Sequence, residues 1–408
     1  MLSKPISAIA KRVSSGLTPL RSNPEFWLNG TIPWLKTEQL GEKFIYSTTE
    51  KISEAAFRKT SIKVCPPNTL SIAMYGEGKT RGNVSIIKSE MATNQACCNI
   101  ELDPKLADFE YVYYFLKTQY SELRNLSSGV RKNLNSEDIK NFVVRLPKEL
   151  AGQKKIAAVL SFLDAKIDCN NRINTELEAM AKTLHDYWFV QFNFPDANGN
   201  PYKSSGGKMV YNPTLKREIP VGWEDGSLWE IARYFNGLPM QKHRPTGSEY
   251  LPVIKIKEMG AGLSGSTEKA SPNIPSDAIV DDGDVLFSWS ATLDVKIWSQ
   301  GKGALNQHIF KVTSDKYPKT FYYFELLAYL EHFKMMAEKR KTTMGHITQD
   351  HLKQSKICIP PLQLLSWAHI QIEPFLKKNL THERENQHLT QLRDWLLPML
   401  MNGQVTVK

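Results

Sequence analysis

The sequence is poor in cysteine and lacks the cysteine spacings that hold a zinc ion. Its five cysteines are Cys65, Cys97, Cys98, Cys169 and Cys358, an odd number without a Cys-x-x-Cys pair. This pattern argues against both a disulfide framework and a structural zinc site. It is typical of a protein in a reducing compartment, and we therefore expect a cytoplasmic location.

Long apolar stretches are also absent. No run approaches the roughly 18 residues of a membrane-spanning helix, and the first residues, MLSKPISAIAKRV, lack the apolar core of a signal peptide. With 41% hydrophobic residues and a mean hydropathy of −0.38, the composition is that of an ordinary soluble globular protein. A chain of 408 residues is expected to form two or three domains.

Acidic residues are fewer than basic ones, with 42 Asp and Glu against 52 Lys and Arg. The net charge is +10 and the isoelectric point is near 9.1. Such a balance favours a polyanionic partner, because each Lys or Arg placed at a phosphate releases a counterion. Many basic proteins bind no nucleic acid, so the charge alone does not decide the function.

Residues 153–191 predict one long helix. Apolar and small residues recur there at alternating steps of four and three, which is typical of the seam of a coiled coil. The helix would be roughly 60 Å long, and it either crosses a large domain or holds two similar units apart. Between the apolar parts of the seam lie Asn170 and Asn174. The other seam residues are Ile156, Leu160, Leu163, Ile167, Leu177, Ala181, Leu184 and Trp188.

Short apolar runs bounded by turn residues predict strands at residues 32–35, 69–73, 84–87 and 143–146. The second half of the chain repeats the first. Matched positions are separated by roughly 212 to 221 residues, an ordered series that indicates a tandem duplication. The second copy also ends in a predicted long helix, residues 362–401, with Asn379 and Asn386 near its middle. The clearest matches are Ser15-Gly16-Leu17 with Asn236-Gly237-Leu238, Ile32-Pro33-Trp34-Leu35-Lys36 with Leu251-Pro252-Val253-Ile254-Lys255, and Ala92-Thr93-Asn94-Gln95 with Ala304-Leu305-Asn306-Gln307.

We therefore expect an α+β protein in which two globular domains, arranged as a tandem duplication, are joined by two long antiparallel coiled-coil helices. A pseudo-two-fold axis would relate the copies. Buried asparagines in the seam would fix the register of the helices at a cost in stability; alternatively, they mark a solvated stretch where the helices separate. The predicted boundaries are 1–147 for the first domain, 148–192 for the central helix, 193–222 for a Gly-, Pro- and Ser-rich linker, 223–360 for the second domain and 361–408 for the distal helix.

Two similar but non-identical basic units on a rigid spacer suit duplex DNA with two different half-sites, which lie about 34 Å apart per helical turn. The candidate DNA-binding residues are Lys36, Tyr75, Lys79, Arg81, Arg131, Lys132, Lys255, Lys257, Trp289, His308, Lys339, Arg340 and Lys341. Their charges could instead be ordinary solvated surface charges. The pairs Asn94-Gln95 and Asn306-Gln307 could read adenine, but a pair shared by both copies favours a structural role, because the copies should read different bases.

The motifs that resemble catalytic sites are weak. Residues 73–80 (AMYGEGKT) fit a relaxed P-loop pattern, yet a turn and a strand follow where a P-loop requires a helix. Residues 23–26 (NPEF) resemble the tetrad of amino-methyltransferases, with Glu in place of the expected third residue and no glycine-rich cofactor strand. Asp284, Asp294 and Lys296 only loosely fit a metal-dependent nuclease core. We expect no catalytic residues, no bound cofactor and no metal site.

Three stretches give the chain a family resemblance. They are residues 153–157 (QKKIA) with the helix that follows, residues 201–209 (PYKSSGGKM) and residues 217–223 (REIPVGW). With the duplication, they make essentially the whole chain similar to the specificity subunits of type I restriction–modification systems. Two departures exist: the first copy lacks the lead-in that residues 217–229 give the second, and residues 366–378 match the family pattern less closely.

The resemblance implies a DNA reader without catalytic residues. Each globular domain would be a target-recognition domain for one half of an asymmetric bipartite sequence. The helices would set the length of the unread gap and dock two modification (adenine methyltransferase) subunits. Two restriction subunits, translocases with an endonuclease domain, would complete the complex, and S-adenosylmethionine, ATP and Mg would be bound by these partners. The residues expected to form the spacer and dock subunits are Ile156, Leu160, Leu163, Ile167, Asn170, Asn174, Leu177, Leu184, Ile372, Leu376, Leu389, Leu392 and Leu396.

Two other functions stay open from the residues alone. The first is a nuclease or nuclease–methyltransferase acting on DNA through Asp284, Asp294 and Lys296. The second is a coiled-coil interaction scaffold that has no DNA role and would bind no DNA even at low salt.

Overall fold

A computed structural model describes residues 1–76, 80–126, 133–339 and 346–407. The predicted DNA-binding residues Lys79, Arg131, Lys132, Arg340 and Lys341, and the side chain of Lys339, lie outside what it describes. The chain forms two compact units. Unit 1 comprises Met1–Ile167 and His388–Lys408, and unit 2 comprises Asp168–Gln387. Each unit therefore includes its own portion of both long helices.

Unit 1 consists of short strands, short helices, the start of one long helix and the end of the other. Its strands are β1 (Leu2–Pro5), β2 (Ala10–Ser15), β3 (Ile32–Leu35), β4 (Phe44–Ile45), β5 (Glu50–Ile52), β6 (Leu70–Ala73), β7 (Val84–Ile87), β8 (Ala92–Thr93), β9 (Cys97–Leu102) and β10 (Val143–Leu146). Its helices are α1 (Glu54–Lys59), α2 (Phe109–Thr118), α3 (Tyr120–Asn125), α4 (Ser136–Asn141) and the first part of α5 (Leu150–His185). Single 3-10 turns lie at Ile6–Ala8, Pro24–Phe26 and Thr37–Gln39.

The five-stranded sheet of unit 1 lies between two of its apolar cores. A five-stranded sheet has the order β2-β9-β6-β7-β4, a three-stranded sheet has the order β5-β3-β8, and β1 pairs with β10. Because side chains alternate between the two faces of a strand, Leu70 and Ile72 of β6 pack with α2, whereas Ala73 packs in a second core with Leu35. Strands β6 and β7 are consequently buried along their whole length.

Unit 2 repeats this construction after a short lead-in. Its strands are β11 (Met209–Asn212), β12 (Arg217–Pro220), β13 (Glu224–Ser227), β14 (Arg233–Asn236), β15 (Leu251–Ile254), β16 (Lys269–Ala270), β17 (Ile279–Val280), β18 (Val285–Ser288), β19 (Asp294–Ile297), β20 (Gly303–Leu305), β21 (Ile309–Thr313) and β22 (Lys356–Ile359). Its helical elements are a π turn (Asp186–Val190), 3-10 turns at Met240–Lys242 and Ser276–Ala278, α6 (Leu228–Ile231), α7 (Ile256–Ala261), α8 (Lys319–Lys339), α9 (Gln349–Gln354) and most of α10 (Leu362–Met401).

The strand pairing confirms the tandem duplication. The order β14-β21-β18-β19 repeats β2-β9-β6-β7, and β16-β15-β20 repeats β5-β3-β8. Even the one parallel pairing recurs in this second sheet: Trp34 of β3 lies opposite Ala92 of β8, and Val253 of β15 lies opposite Ala304 of β20. The predicted strands 32–35, 84–87 and 143–146 and the predicted helix 362–401 have the same bounds in the structure.

Gln153 attaches the start of α5 to the globular part of unit 1. Its buried side-chain amide donates to the carbonyl oxygens of Leu106 and Pro147 at 3.2 and 3.3 Å and accepts a hydrogen bond from the Asp108 amide at 2.9 Å. The three bonds satisfy backbone groups that would otherwise be unpaired around the helix start. They explain why a polar glutamine is buried near the start of this helix.

Residues 193–222 are folded rather than an extended linker. They contain the antiparallel hairpin β11–β12, and Phe194 stacks on Tyr202 and Trp223 with ring centroids 4.7 and 5.2 Å apart. The glycines of this segment serve turns, with Gly199 and Gly206 at positive φ, a conformation that glycine adopts without strain. Composition therefore identified the turns but not the aromatic cluster that orders them. The other predicted domain boundaries stay predictions.

The cysteines are all free, as the sequence predicts, and all except the exposed Cys169 are buried. Burial raises the pKa of the Cys65, Cys97 and Cys98 thiols to about 12, which keeps them protonated. Among the helices in the described ranges, none has both the length and the apolarity needed to cross a membrane.

A buried histidine lies at the C-terminal end of α5. His185 Nδ1 is 3.6 Å from Asp186 Oδ1, and Nε2 is 3.4 Å from Glu325 Oε1. Burial lowers the pKa of His185, but the two carboxylates raise it by more, so the net pKa lies above the ordinary value of 6.5. Phe189 and Phe324 pack against the ring at centroid distances of 5.1 and 5.3 Å and hold it between the acids.

This arrangement predicts a pH-dependent contribution to stability. Because the folded-state pKa of His185 is raised, the protonated ring stabilises unit 2 fully below the unfolded-state pKa, and that contribution is lost as pH rises through the folded-state pKa. Thermal unfolding of the full chain between about pH 6 and pH 9 should show a smaller pH dependence of the midpoint in His185→Gln than in the wild type. His243→Gln, at a half-buried position, is the control, and identical pH profiles for all three proteins would contradict the assignment.

Candidate nucleic-acid interface and paired helices

The two predicted lysines at the ends of β3 and β15 lie beside carboxylates. Lys36 Nζ is 2.5 Å from Glu38 Oε1 and 2.8 Å from Glu50 Oε1. These acids raise the pKa of Lys36 through hydrogen bonds that outweigh desolvation. Lys255, at the matching position of the repeat, pairs with Glu268, which precedes β16 as Glu50 opens β5. A pair shared by both copies favours a structural role, so the assignment of these lysines to phosphate contact stays a prediction.

Three further predicted residues lie on the surface or near it. Tyr75 is exposed just after β6, and Lys257 is exposed on α7, with Nζ 3.9 Å from Glu258 Oε1. The carbonyl oxygen of Arg81 accepts a hydrogen bond from Arg124 at 3.1 Å. The segment after Arg81 leads into strand β7, which agrees with the rejection of a P-loop at residues 73–80.

The structure brings together two predicted residues that are 19 positions apart in sequence, Trp289 and His308. Their ring centroids are 5.6 Å apart, and His346 lies 5.4 Å from the indole on another side. Trp289 Nε1 also donates to Asn236 Oδ1 at 3.0 Å. We call Asn236, Trp289, His308 and His346 the Trp289 cluster. The sequence prediction missed Asn236 and His346, although Asn236 belongs to a repeated tripeptide whose first residue differs between the copies.

The asparagines shared by the copies lie in equivalent turns. Asn94 Oδ1 accepts a hydrogen bond from the amide of Ala96 at 3.1 Å, and the backbone amides of Asn94 and Asn306 donate to Leu35 and Ile254 at 2.9 and 3.1 Å. These bonds join each turn to the neighbouring parallel strand. They support the structural role over direct base reading.

In unit 1 the two long helices meet through a charged network. Arg393 of α10 is 3.0 Å from Asp164 of α5, and Tyr114 donates a hydrogen bond to the same carboxylate. Lys43 Nζ is 2.8 Å from Glu110 Oε2 and donates to Tyr114 at 2.7 Å. Beyond this network, Ile156 and Leu160 of α5 belong to one core with Leu400 and Met401 of α10. Both helices are thereby joined to the globular part of unit 1.

In unit 2 the helices meet through buried polar side chains. Asn170 Nδ2 donates to Asn386 Oδ1 at 2.9 Å, and Asn386 Nδ2 donates to Asn171 Oδ1 at 2.8 Å. One turn further along, His382 Nδ1 lies 2.8 Å from Asn174 Oδ1, and Asn174 Nδ2 donates to Glu383 at 3.3 Å. We call Asn170, Asn174, His382 and Asn386 the polar seam. Ascending residue numbers on α5 pair with descending numbers on α10, so the helices are antiparallel here, as predicted.

The four residues of the polar seam are related to one another by the sequence offset of the repeat. His382 and Asn386 are each 212 positions after Asn170 and Asn174, so the pairs Asn170–Asn386 and Asn174–His382 are equivalents of each other. All four residues are buried, Asn170 completely, which excludes the alternative of a solvated stretch where the helices separate. The asparagines predicted near the middle of α10 were Asn379 and Asn386, without His382. Asn379 is only half-buried and donates to Glu178 at 2.8 Å, whereas the 212-residue offset from Asn170 points to His382.

Most predicted spacer residues lie on the packed side of their helix. Leu392 is an exception, because it is 42% exposed and Arg393 occupies the seam position beside Asp164. The regular spacing of leucines predicts Leu392 as a seam residue, whereas Arg393, one residue later, lies in the seam. The buried apolar residues are Ile156, Leu160, Leu163, Ile372 and Leu376, and the half-buried ones are Ile167, Leu177, Leu184, Leu389 and Leu396.

The nuclease alternative does not have the required geometry. Asp284 precedes β18 and pairs with Lys311 at 2.9 Å, whereas Asp294 begins the antiparallel β19 opposite Ser288, at the other end of β18. Lys296 donates to the carbonyl oxygen of Met259 at 3.4 Å. Within the described ranges, no group of three or more His, Cys, Asp and Glu residues is arranged to hold a metal ion.

The polar seam predicts a specific pattern of destabilisation. Asn386→Ala removes the acceptor of one Asn170 bond and the donor to Asn171, while Asn170 keeps its bond to Glu385 at 2.8 Å. Each lost hydrogen bond costs about 0.5–1.5 kcal/mol. Asn379→Ala, which removes a bond at a half-buried position, should cost less. Urea unfolding followed by the helical circular dichroism signal compares the two variants; an equal effect of both would contradict the buried role of the seam.

Comparison with known proteins gives one family for both halves of the chain. The type I restriction modification DNA specificity domain matches residues 5–179 and again residues 220–390. The MjaIX type I restriction enzyme specificity subunit of Methanocaldococcus jannaschii is 27% identical over 97% of this chain and 91% of its own length. The MjaVIII specificity subunit of the same organism is 22% identical over 93% and 88% of the two chains.

A solved structure has the same fold. The crystal structure of a type I restriction–modification S subunit from M. genitalium superimposes with a TM-score of 0.60 at 16% sequence identity, covering 98% of this chain and 95% of that one. The duplicated strand order, the long helix that ends each copy and the double domain match agree with one another. The chain therefore belongs to the type I restriction–modification specificity family and carries two copies of its DNA specificity domain.

Proposed function

We propose that the chain is the DNA-reading subunit of a type I restriction–modification complex and recognises an asymmetric bipartite sequence, one half-site per unit. The observation that carries this proposal is the duplication: the same strand order and the same backbone turns appear twice, with different side chains at exposed positions such as Ser15 and Asn236. Two similar frames with different surfaces suit two half-sites of different sequence. The basic net charge of +10 provides the attraction to phosphate.

The chain acts in this proposal without chemistry of its own. Two methyltransferase subunits dock on the helices and two restriction subunits complete the assembly, in the cytoplasm. S-adenosylmethionine, ATP and Mg are bound by those partners. Leu392 and Trp395 are 42% and 62% exposed on α10, and apolar side chains at such exposure are available for a partner helix.

Sequence-dependent methylation is the direct test. The full chain, assembled with the methyltransferase subunits of its own system, should methylate adenines only within one bipartite sequence of a randomised duplex library. The methyltransferase subunits without the chain are the control. Identical methylation with and without the chain would contradict the proposal, and a chain that binds no DNA at low salt would favour the scaffold alternative.

The helices are expected to set the length of the unread gap. One heptad inserted between Asn174 and Leu177, together with one between Asn379 and His382, keeps the seam in phase on both helices and adds about 10 Å. The gap in the methylated sequence should lengthen by about three base pairs, at 3.4 Å each, with both half-sites unchanged. Insertion into α5 alone is the matched control, because it disrupts the pairing of the helices, and it should abolish methylation. An unchanged gap in the double insertion would exclude the helices as the spacer.

A further inference from the structure

Strands β2 and β14, which occupy the same place in the two units, end at equivalent backbone positions. Ser15 ends β2 and Asn236 ends β14, and each is followed by a glycine whose amide donates to the neighbouring strand, Gly16 to Cys97 at 3.2 Å and Gly237 to Ile309 at 3.1 Å. A Cβ on Gly16 would lie 2.1 Å from the Thr93 carbonyl oxygen, and one on Gly237 would lie 2.3 Å from that of Asn306. Only glycine permits this close approach, so the preceding side chain has a fixed position in both units.

The side chains at this fixed position differ between the units. Ser15 Oγ lies 2.8 Å from Ser136 Oγ, whereas Asn236 Oδ1 accepts the hydrogen bond from Trp289 Nε1. Because an indole N–H can only donate, Asn236 must present its oxygen to Trp289. Its amide nitrogen has no hydrogen-bond partner in the part of the chain that the structure describes, and the residue is exposed.

Trp289 is itself held firmly enough to orient Asn236. Its backbone amide donates to His308 at 3.4 Å and its carbonyl oxygen accepts from Ile347 at 2.9 Å. His308, Phe310 and His346 surround the indole with centroids 5.6, 5.8 and 5.4 Å away.

The same backbone frame exists in unit 1 with smaller side chains. There the amide of Met74 donates to Ala96 at 2.8 Å, and its carbonyl oxygen accepts from Leu134 at 3.1 Å. The aromatic support around Trp289 is therefore a property of unit 2 and not of the common frame.

We propose that Asn236, oriented by Trp289, reads one base of the half-site recognised by unit 2. This inference rests on the proposed function. An asparagine amide forms two hydrogen bonds with adenine, donating to N7 and accepting from the N6 amino group. Asn236 has the free donor, and its oxygen retains a second lone pair beside the one used by Trp289. Adenine is therefore the base whose edge fits this side chain, and Trp289 is the positioning residue.

The test is the methylated sequence produced by variants of the full chain in its methyltransferase complex. Asn236→Asp keeps the acceptor for Trp289 but removes the donor. Preference for adenine at one position of one half-site should fall about tenfold or more, with cytosine gaining, because its amino group can donate to a carboxylate. Trp289→Phe preserves an aromatic ring but removes the N–H group that donates to Asn236. It should weaken the preference for adenine at that same position only.

His332→Ala is the matched control, because His332 is an exposed histidine of unit 2 that packs on Tyr329 and Phe333, outside the Trp289 cluster. The unchanged half-site of unit 1 reports that each variant is folded. If Asn236→Asp lowers the thermal midpoint, Asn236→Ser is used in its place, because serine is the residue of unit 1 at this position. Asn236→Ser should also lose the preference for adenine at that one position.

The inference is overturned if the methylated sequence of the Asn236 variants matches that of the wild type. It is also overturned if methylation falls equally at all sequences, which would indicate a phosphate contact instead of base reading. A wild-type complex that methylates no bipartite sequence would refute the proposed function itself, which separates the two failures.

Discussion

Four buried polar side chains at the middle of the helix pair constrain the rest of the structure. Asn170, Asn174, His382 and Asn386 can satisfy their hydrogen bonds only when the two helices adopt one register. An apolar seam tolerates sliding by a heptad, because one leucine packs against another in either register. A shifted polar seam would instead leave amide groups buried without partners. Burying these groups lowers the stability of the helix pair, but it restricts the two helices to a single register.

The repeat explains why this seam contains two equivalent pairs. When two copies of one helix pack antiparallel, a contact between one position of the first copy and a second position of the other copy is repeated with the two positions exchanged. Asn170 with Asn386 and Asn174 with His382 are such exchanged pairs. Two polar positions four residues apart in one copy, those of Asn170 and Asn174, are thus sufficient to form both pairs once the helix is duplicated. Apolar packing nearer the helix ends, as at Leu160 with Leu400 in unit 1, provides the stability that the middle does not.

Periodicity and self-similarity allowed the sequence to predict the strands at 32–35, 84–87 and 143–146, the distal helix and the duplication, because these depend on local patterns. They could not predict tertiary contacts. Phe194, Tyr202 and Trp223 order a segment whose Gly and Ser content is typical of a linker, since stacking of three distant rings has no local signature. Leu392 fits the regular spacing of the seam, but it is 42% exposed, and the charged Arg393 lies at the seam position beside Asp164. Asn236 was missed because its role depends on Trp289, 53 residues away.

The positions that the units share and those that differ have separate physical roles. Gly16 and Gly237 permit the close approach of two backbones, and the bonds from Met74 and Trp289 to the neighbouring turns involve only main-chain atoms. These main-chain hydrogen bonds therefore do not depend on which side chains the two units have at these positions. Unit 2 has Trp289 and His308 where unit 1 has Met74 and Ala96, and both hydrogen bonds of the Met74 backbone recur at Trp289. In such a fold the exposed side chains can change while the backbone of the turn that carries them stays the same. Two units with one fold can therefore read different sequences.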